Sequence, residues 1–275
     1  MTDRPSLSEL RSRVFKHSGS GCPEVGNWLS RRIGRPSAIY GTWLVSRTKI
    51  PAHAVTLAAL IANGLGALGI GSGLRLGFVA GVIGLFVGYW LDHVDGQVAR
   101  WRGTSSLTGV YFDYLLHHAT ALMLGFALGF GLTARGEGVL WSLLGFLIAI
   151  GWTGQNLHND CQYKAMFTQL KRERRVLRVV PSDQRRPSSP SPWPKTGLGV
   201  LTWPMAKLCE PHVVLMMLGG LSVAAVERPM LWLGLWKIGV AMMAVVAPVI
   251  AIGRASKSIL RREPDREFDR LFRPN

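Results

Sequence analysis

Three aspartates, two glycines and an arginine interrupt a stretch of chain that is otherwise apolar. The segment reads Asp92-His93-Val94-Asp95-Gly96-Gln97-Val98-Ala99-Arg100, then eight residues, then Gly109, three residues and Asp113. One apolar run, Leu76 to Leu91, leads into it, and another, Ala119 to Leu132, follows. Ionisable groups in such surroundings cost about 2.5–3.5 kcal/mol each on insertion scales and usually mark function. Carboxylates about 4 Å apart repel by about 4 kcal/mol at an effective dielectric of about 20, and Arg100 alone does not neutralise three of them. One or two divalent cations would, and oxygen ligands select Mg²⁺ or Mn²⁺. The competing explanation is an interfacial ion-pair network without metal.

Helical geometry brings these residues together. Asp92, Asp95 and Ala99 fall at i, i+3 and i+7 and share a face, with Gly96 and Arg100 beside it. Asp113 and His117 lie four apart on the next helix. A turn over Trp101–Ser106, with Thr104 or Ser105 capping the second helix, folds the pair into an antiparallel hairpin. Gly96 lets a large ligand approach the backbone, and Ala99 keeps the face open. His118 is turned about 100° from His117 and is expected to pack or bond elsewhere.

The hairpin must sit in a larger apolar frame. The chain has 275 residues, of which 48% are hydrophobic, more apolar material than one soluble core needs. The apolar residues fall into six blocks, about 54–72, 75–98, 106–132, 138–158, 211–227 and 230–253, each near the roughly 17–25 residues of a bilayer span. The expected fold is all-α: a polytopic membrane protein with six transmembrane helices. Its expected parts are an N-terminal segment (1–49), a transmembrane catalytic unit (50–254) and a tail (255–275). The first apolar block follows some fifty polar and basic residues, so no cleavable signal peptide is expected.

Charge sets the orientation. The net charge is +16, but the short loops at 73–75, 133–137 and 228–229 carry only Arg75, Arg135 and Arg228. Nearly all other basic residues crowd the N-terminal segment, the 100–102 turn, the 159–210 loop and the tail, so both termini and the acidic cluster are expected in the cytoplasm. The run from Lys171 to Arg178 then suits anionic lipid headgroups, and nucleic acid is not an expected partner. Cys22, Cys161 and Cys209 lack metal-ligand spacing and are expected to be reduced.

Flanking segments are less informative. Val25, Trp28, Leu29 and Ile33 form an apolar stripe beside Arg31 and Arg32, the pattern of a helix lying in the headgroup region. A second short helix is expected over Ala38–Val45. Residues 1–20 read as loose, Pro181–Lys195 as an extended linker and the chain beyond Ser258 as a solvated tail. Gly64-x-Gly66-x-x-Gly69 matches the dinucleotide-binding string but lies inside the first apolar block. Close helix packing explains it better, as it does Gly84/Gly88 and Gly125/Gly129, and a homodimer is expected.

The cluster also resembles a family. Asp92-x₂-Asp95-Gly96-x₂-Ala99-Arg100-x₈-Gly109-x₃-Asp113 matches the motif of the CDP-alcohol phosphotransferases, membrane enzymes of phospholipid head-group synthesis. Pro51-Ala52-His53-Ala54-Val55-Thr56 loosely resembles that family's Pro-Asn-x-x-Thr segment, departing at Asn. The resemblance implies transfer of a substituted phosphate from a CDP-linked lipid, commonly CDP-diacylglycerol, to an alcohol or phospho-alcohol, with release of CMP. It implies that Asp92, Asp95 and Asp113 hold a two-metal centre and that Gly96, Ala99, Arg100 and Gly109 line the nucleotide pocket. The family has a fourth aspartate, a metal ligand and proposed base, where this chain has His117. Three roles for His117 stay open: general base, nitrogen ligand favouring Mn²⁺ or Zn²⁺, or the mark of a lost second metal and lost activity. CDP-lipid hydrolysis and a non-catalytic or transport protein are the alternatives to transfer. Transport would scatter polar residues along several spans, whereas here they gather at one end, joined by Gln155, His158, Asn159 and Asp160.

Overall fold

The computed structural model describes residues 6–16, 27–173, 177–179 and 198–274. Cys22, the start of the amphipathic segment before Asn27, the Arg174–Val176 part of the basic run and the Pro181–Lys195 linker lie outside the described residues. The fold is helical apart from one short ladder, in which β1 (Leu177–Val179) pairs antiparallel with β2 (Phe272–Pro274).

Five helices supply most of the frame: α3 (Ala52–Gly71), α4 (Arg75–Arg102), α5 (Leu107–Ala134), α6 (Leu140–Arg172) and α9 (Pro229–Arg261). Among the described residues, four of these (α3, α4, α5 and α9) are long and apolar enough to cross a membrane. The sequence predicts six such spans. In α6 the apolar run gives way to polar residues from Gln155 onward, and α8 (Pro211–Glu227) has only 17 residues. The buried core joins α4, α5, α6, α8 and α9 around Phe78, Trp232 and Trp236.

Small residues set the spacing. A Cβ on Gly66 or Gly69 of α3 would lie 2.8 Å from the Gly81 carbonyl or 2.7 Å from that of Gly77 on α4. On Gly125 or Gly129 of α5 it would meet Ala149 at 2.6 Å or the Trp141 carbonyl at 2.1 Å on α6. These glycines therefore seat helices of the same chain against each other, as the sequence predicts. Gly64, in the same string, faces open space.

The end remote from the acidic cluster is tied by side chains. Arg135 donates to the Gly73 carbonyl at 2.7 Å and stacks over Trp232, while Lys237 pairs with Glu137. Lys237, in the last apolar helix, thus has a carboxylate partner.

At the other end the N-terminal segment is more ordered than its composition suggests. Helix α1 (Leu7–Lys16) buries Leu10 and Val14 against Ile39, Trp43 and Trp101, so residues 7–16 are helical where a loose segment is expected. The two short helices expected after it run together, because a π-helical turn at Ser30–Gly34 passes directly into α2 (Arg35–Ser46). Leu29 and Ala38 are buried in protein, although Trp28 and Ile33 remain exposed. At the other terminus α9 continues to Arg261, and α10 (Glu263–Leu271) follows as a helix with no buried residue.

Candidate active site: an acid–imidazole cluster on a helical hairpin

The hairpin of α4 and α5 is built by local rules. Gly103, at φ +65°, ends α4, and the Thr104 amide donates to the Ala99 carbonyl at 2.9 Å. Ser106 caps α5 by accepting from the Gly109 amide at 3.1 Å, one residue beyond the cap predicted from sequence. Arg102 donates to the Val45 and Thr48 carbonyls at 3.0 and 2.8 Å and to that of Ile50, fastening the connection between α2 and α3.

A buried polar contact fixes α4 against α2. Gln97, 1% exposed, accepts from the Thr42 hydroxyl at 2.9 Å and donates to the Arg35 carbonyl at 2.9 Å. Both ends of its amide are satisfied, so the helix has one favourable rotation, with Val94 and Val98 turned into a small core beside Ala38 and Val55.

That rotation brings Asp92 to face α5. Among the described residues, Asp92, Asp113 and His117 each offer one ligand atom, all within 4.8 Å of one another. His117 Nε2 lies 3.4 Å from Asp113 Oδ1 and 3.9 Å from Asp92 Oδ1. Asp92 Oδ1 is buried without a hydrogen-bond partner. An orphaned carboxylate oxygen is expensive, and a cation between these three groups relieves it. The residues therefore fit a divalent metal.

Asp95 stands apart from this trio. It is 9% exposed and turned toward Thr56 of α3, near enough to Asp92 and Asp113 for their charges to act on it. On the same side, the Arg100 guanidinium folds back over Gly96, where a Cβ would approach Nη1 to 3.3 Å. A Cβ on Gly109 would be 3.5 Å from His53 Cε1. Gly96, Arg100 and Gly109 thus leave room beside Asp95, and Ala99 on the same helix is half-buried.

A cavity of about 750 Å³ lies between α3, α4, α5, α6, α8 and α9. Asp92 and His117 line it, whereas Asp95, Asp113, Gly96, Ala99, Arg100 and Gly109 do not. Asp92 and His117 thus stand at the cavity wall, with Asp95 outside it beside Thr56.

Three residues gain positions that sequence reasoning leaves open or misses. His93 Nδ1 lies 3.5 Å from Asp92 Oδ2, its ring packed on Tyr89 and against Gly34, where a Cβ would meet Cδ2 at 2.4 Å. His118, expected elsewhere, lines the same cavity as His117: Nδ1 is 2.8 Å from the Tyr114 carbonyl and Nε2 3.2 Å from Asp160 Oδ2. Arg254 of α9 also reaches this cavity. The available sequence signal was the polar cluster at the end of the fourth apolar block.

Site and frame together define a class: a helical protein with membrane-length apolar helices and an Asp–Asp–His group that could hold a metal ion. The CDP-alcohol phosphatidyltransferase family model matches residues 46–162, the stretch that holds α3, α4, α5 and the site-bearing part of α6. That match points to a CDP-alcohol phosphotransferase-type enzyme. No curated protein matches the chain.

Proposed function

We propose that the protein transfers a substituted phosphate from a CDP-linked lipid such as CDP-diacylglycerol to an alcohol, releasing CMP, in phospholipid synthesis. The observation that carries this reading is the partnerless Asp92 oxygen inside an Asp–Asp–His group within the matched domain. Divalent metal held by Asp92, Asp113 and the adjacent Asp95 would supply charge neutralisation for the pyrophosphate and the departing CMP. Gly96, Ala99, Arg100 and Gly109 would receive the cytidine nucleotide on the face toward α3.

The acceptor enters from the cavity side. Its hydroxyl oxygen attacks the β-phosphorus, the bond from that phosphorus to the bridging oxygen breaks, and CMP leaves with the bond's electron pair. His117 takes the hydroxyl proton. Its side chain is 50% exposed and lines the cavity, and Asp113 holds Nε2 at 3.4 Å.

In this reading α6 and α8 also cross the bilayer, giving six spans, with the site and both termini in the cytoplasm. The basic inner face then meets anionic lipid in the cytoplasmic membrane. Purified protein in liposomes, given CDP-diacylglycerol and Mg²⁺ or Mn²⁺, tests the proposal. CMP release that requires an added alcohol supports transfer. Release without one replaces transfer by hydrolysis, and no release under any acceptor refutes both.

A further inference from the structure

The wall of the 750 Å³ cavity opposite Asp92 is one face of α6. Asn156 and Asn159 sit there one turn apart, with Asp160 beside them. Among the described residues, neither asparagine carboxamide has a hydrogen-bond partner. Each offers an acceptor oxygen and two N–H donors, so together they present alternating donors and acceptors to whatever fills the space.

The charges around them are already matched. Asp160 pairs with His118 at 3.2 Å, and Glu210 with Lys207 at 2.5 Å and His212 at 3.5 Å. No carboxylate beyond Asp92 is left to receive an ammonium group. Arg254 is the one Lys or Arg among the described lining residues, and its neighbour Lys257 is bound to Glu263 at 3.2 Å. A phosphate-bearing alcohol would meet three carboxylates, Asp92, Asp160 and Glu210, and a single permanent cation, and like charges in a confined site weaken binding. Trp152 and Tyr163 add flat apolar surface beside the amides.

We infer that the acceptor is an uncharged, multiply hydroxylated alcohol, held by the free carboxamides of Asn156 and Asn159 with its reacting hydroxyl toward His117. This rests on the transfer reading above and narrows it. Hydroxyls both donate and accept, so each hydroxyl of a polyol can serve either end of the asparagine carboxamides, whereas an ammonium group only donates and an ionised phosphate group only accepts.

The test uses the full-length protein in liposomes with CDP-diacylglycerol and Mn²⁺. Acceptors are offered in sets: glycerol and myo-inositol, their monophosphates, and ethanolamine with serine. We expect an uncharged polyol to stimulate CMP release at least tenfold more than its phosphate or either amine at equal concentration. Asn156→Ala and Asn159→Ala should each raise the KM for that polyol at least tenfold, with the KM for CDP-diacylglycerol changing less than twofold. A phosphorylated or amino acceptor ranking first would overturn the inference and leave transfer standing, as would an unchanged polyol KM in both folded variants. CMP release that ignores every alcohol would overturn the inference together with the transfer reading. Should the variants fail to fold, the wild-type preference order decides.

Discussion

Replacing His117 by alanine separates the role of this side chain from that of the carboxylates around it. In the structure its Nε2 lies 3.4 Å from Asp113 Oδ1 and 3.9 Å from Asp92 Oδ1, at the boundary between the acidic cluster and the cavity. Removing the imidazole leaves Asp92, Asp95 and Asp113 in place, so metal and donor binding should survive. A positioned general base contributes about 10²–10⁴-fold, which at about 1.4 kcal/mol per decade is roughly 3–5.5 kcal/mol of barrier. We therefore expect His117→Ala to lower kcat by about two to four orders of magnitude, with the KM for the CDP-lipid little changed. His117→Asp should retain or raise activity, because a carboxylate restores the residue the family motif carries and accepts a proton from the same direction. The assay is alcohol-dependent CMP release, with bound Mn²⁺ counted by electron paramagnetic resonance in each variant. Full activity in His117→Ala would remove the base assignment. Lost Mn²⁺ in the same variant would make the imidazole a metal ligand instead.

Two further outcomes test the frame. A Cβ on Gly129 would lie 2.1 Å from the Trp141 carbonyl and 2.5 Å from the Gly145 amide nitrogen, so Gly129→Leu must push α5 from α6. Thermal unfolding in detergent should show a loss of about 1–3 kcal/mol or more, while Gly220→Ala, which meets no atom within 4 Å, leaves the midpoint unchanged. Cys161 is exposed on the polar half of α6, whereas Cys209 is buried and its thiol is pushed above its ordinary pKa by that burial. In a Cys22→Ser background, a membrane-impermeant maleimide should label Cys161 in inside-out vesicles and not in intact cells. Labelling from the outside would reverse the proposed topology.

Most of the site was legible because its residues are close in sequence and obey helical periodicity. Asp92 and Asp113, with His117, come from one hairpin, and spacing alone predicts their approach. The six apolar blocks likewise mark the helices of the bundle, although polar residues in α6 and the shortness of α8 leave four helices with unambiguous span character. What escaped was non-local. The uninterrupted passage from the π-helical turn into α2 depends on Gly34 accommodating the ring of His93, some sixty positions away. Leu10 and Val14 look unremarkable among polar neighbours until Trp101 covers them. The angle of His118 on α5 turns it from the acidic cluster, as its spacing predicts, but the partner it meets there, Asp160 of α6, is not given by spacing. A periodicity argument gives the direction of a side chain and not what stands there.

A divalent ion between α4 and α5 is the premise on which donor binding, leaving-group departure and the role of His117 all depend. The most direct measurement is anomalous diffraction from crystals grown with Mn²⁺ and CMP. We expect a manganese peak within coordination distance of Asp92 and Asp113, lost in an Asp92→Asn variant, with cytidine density on the side of Gly96 and Gly109. A well-ordered cluster with no anomalous peak and no bound nucleotide would contradict it.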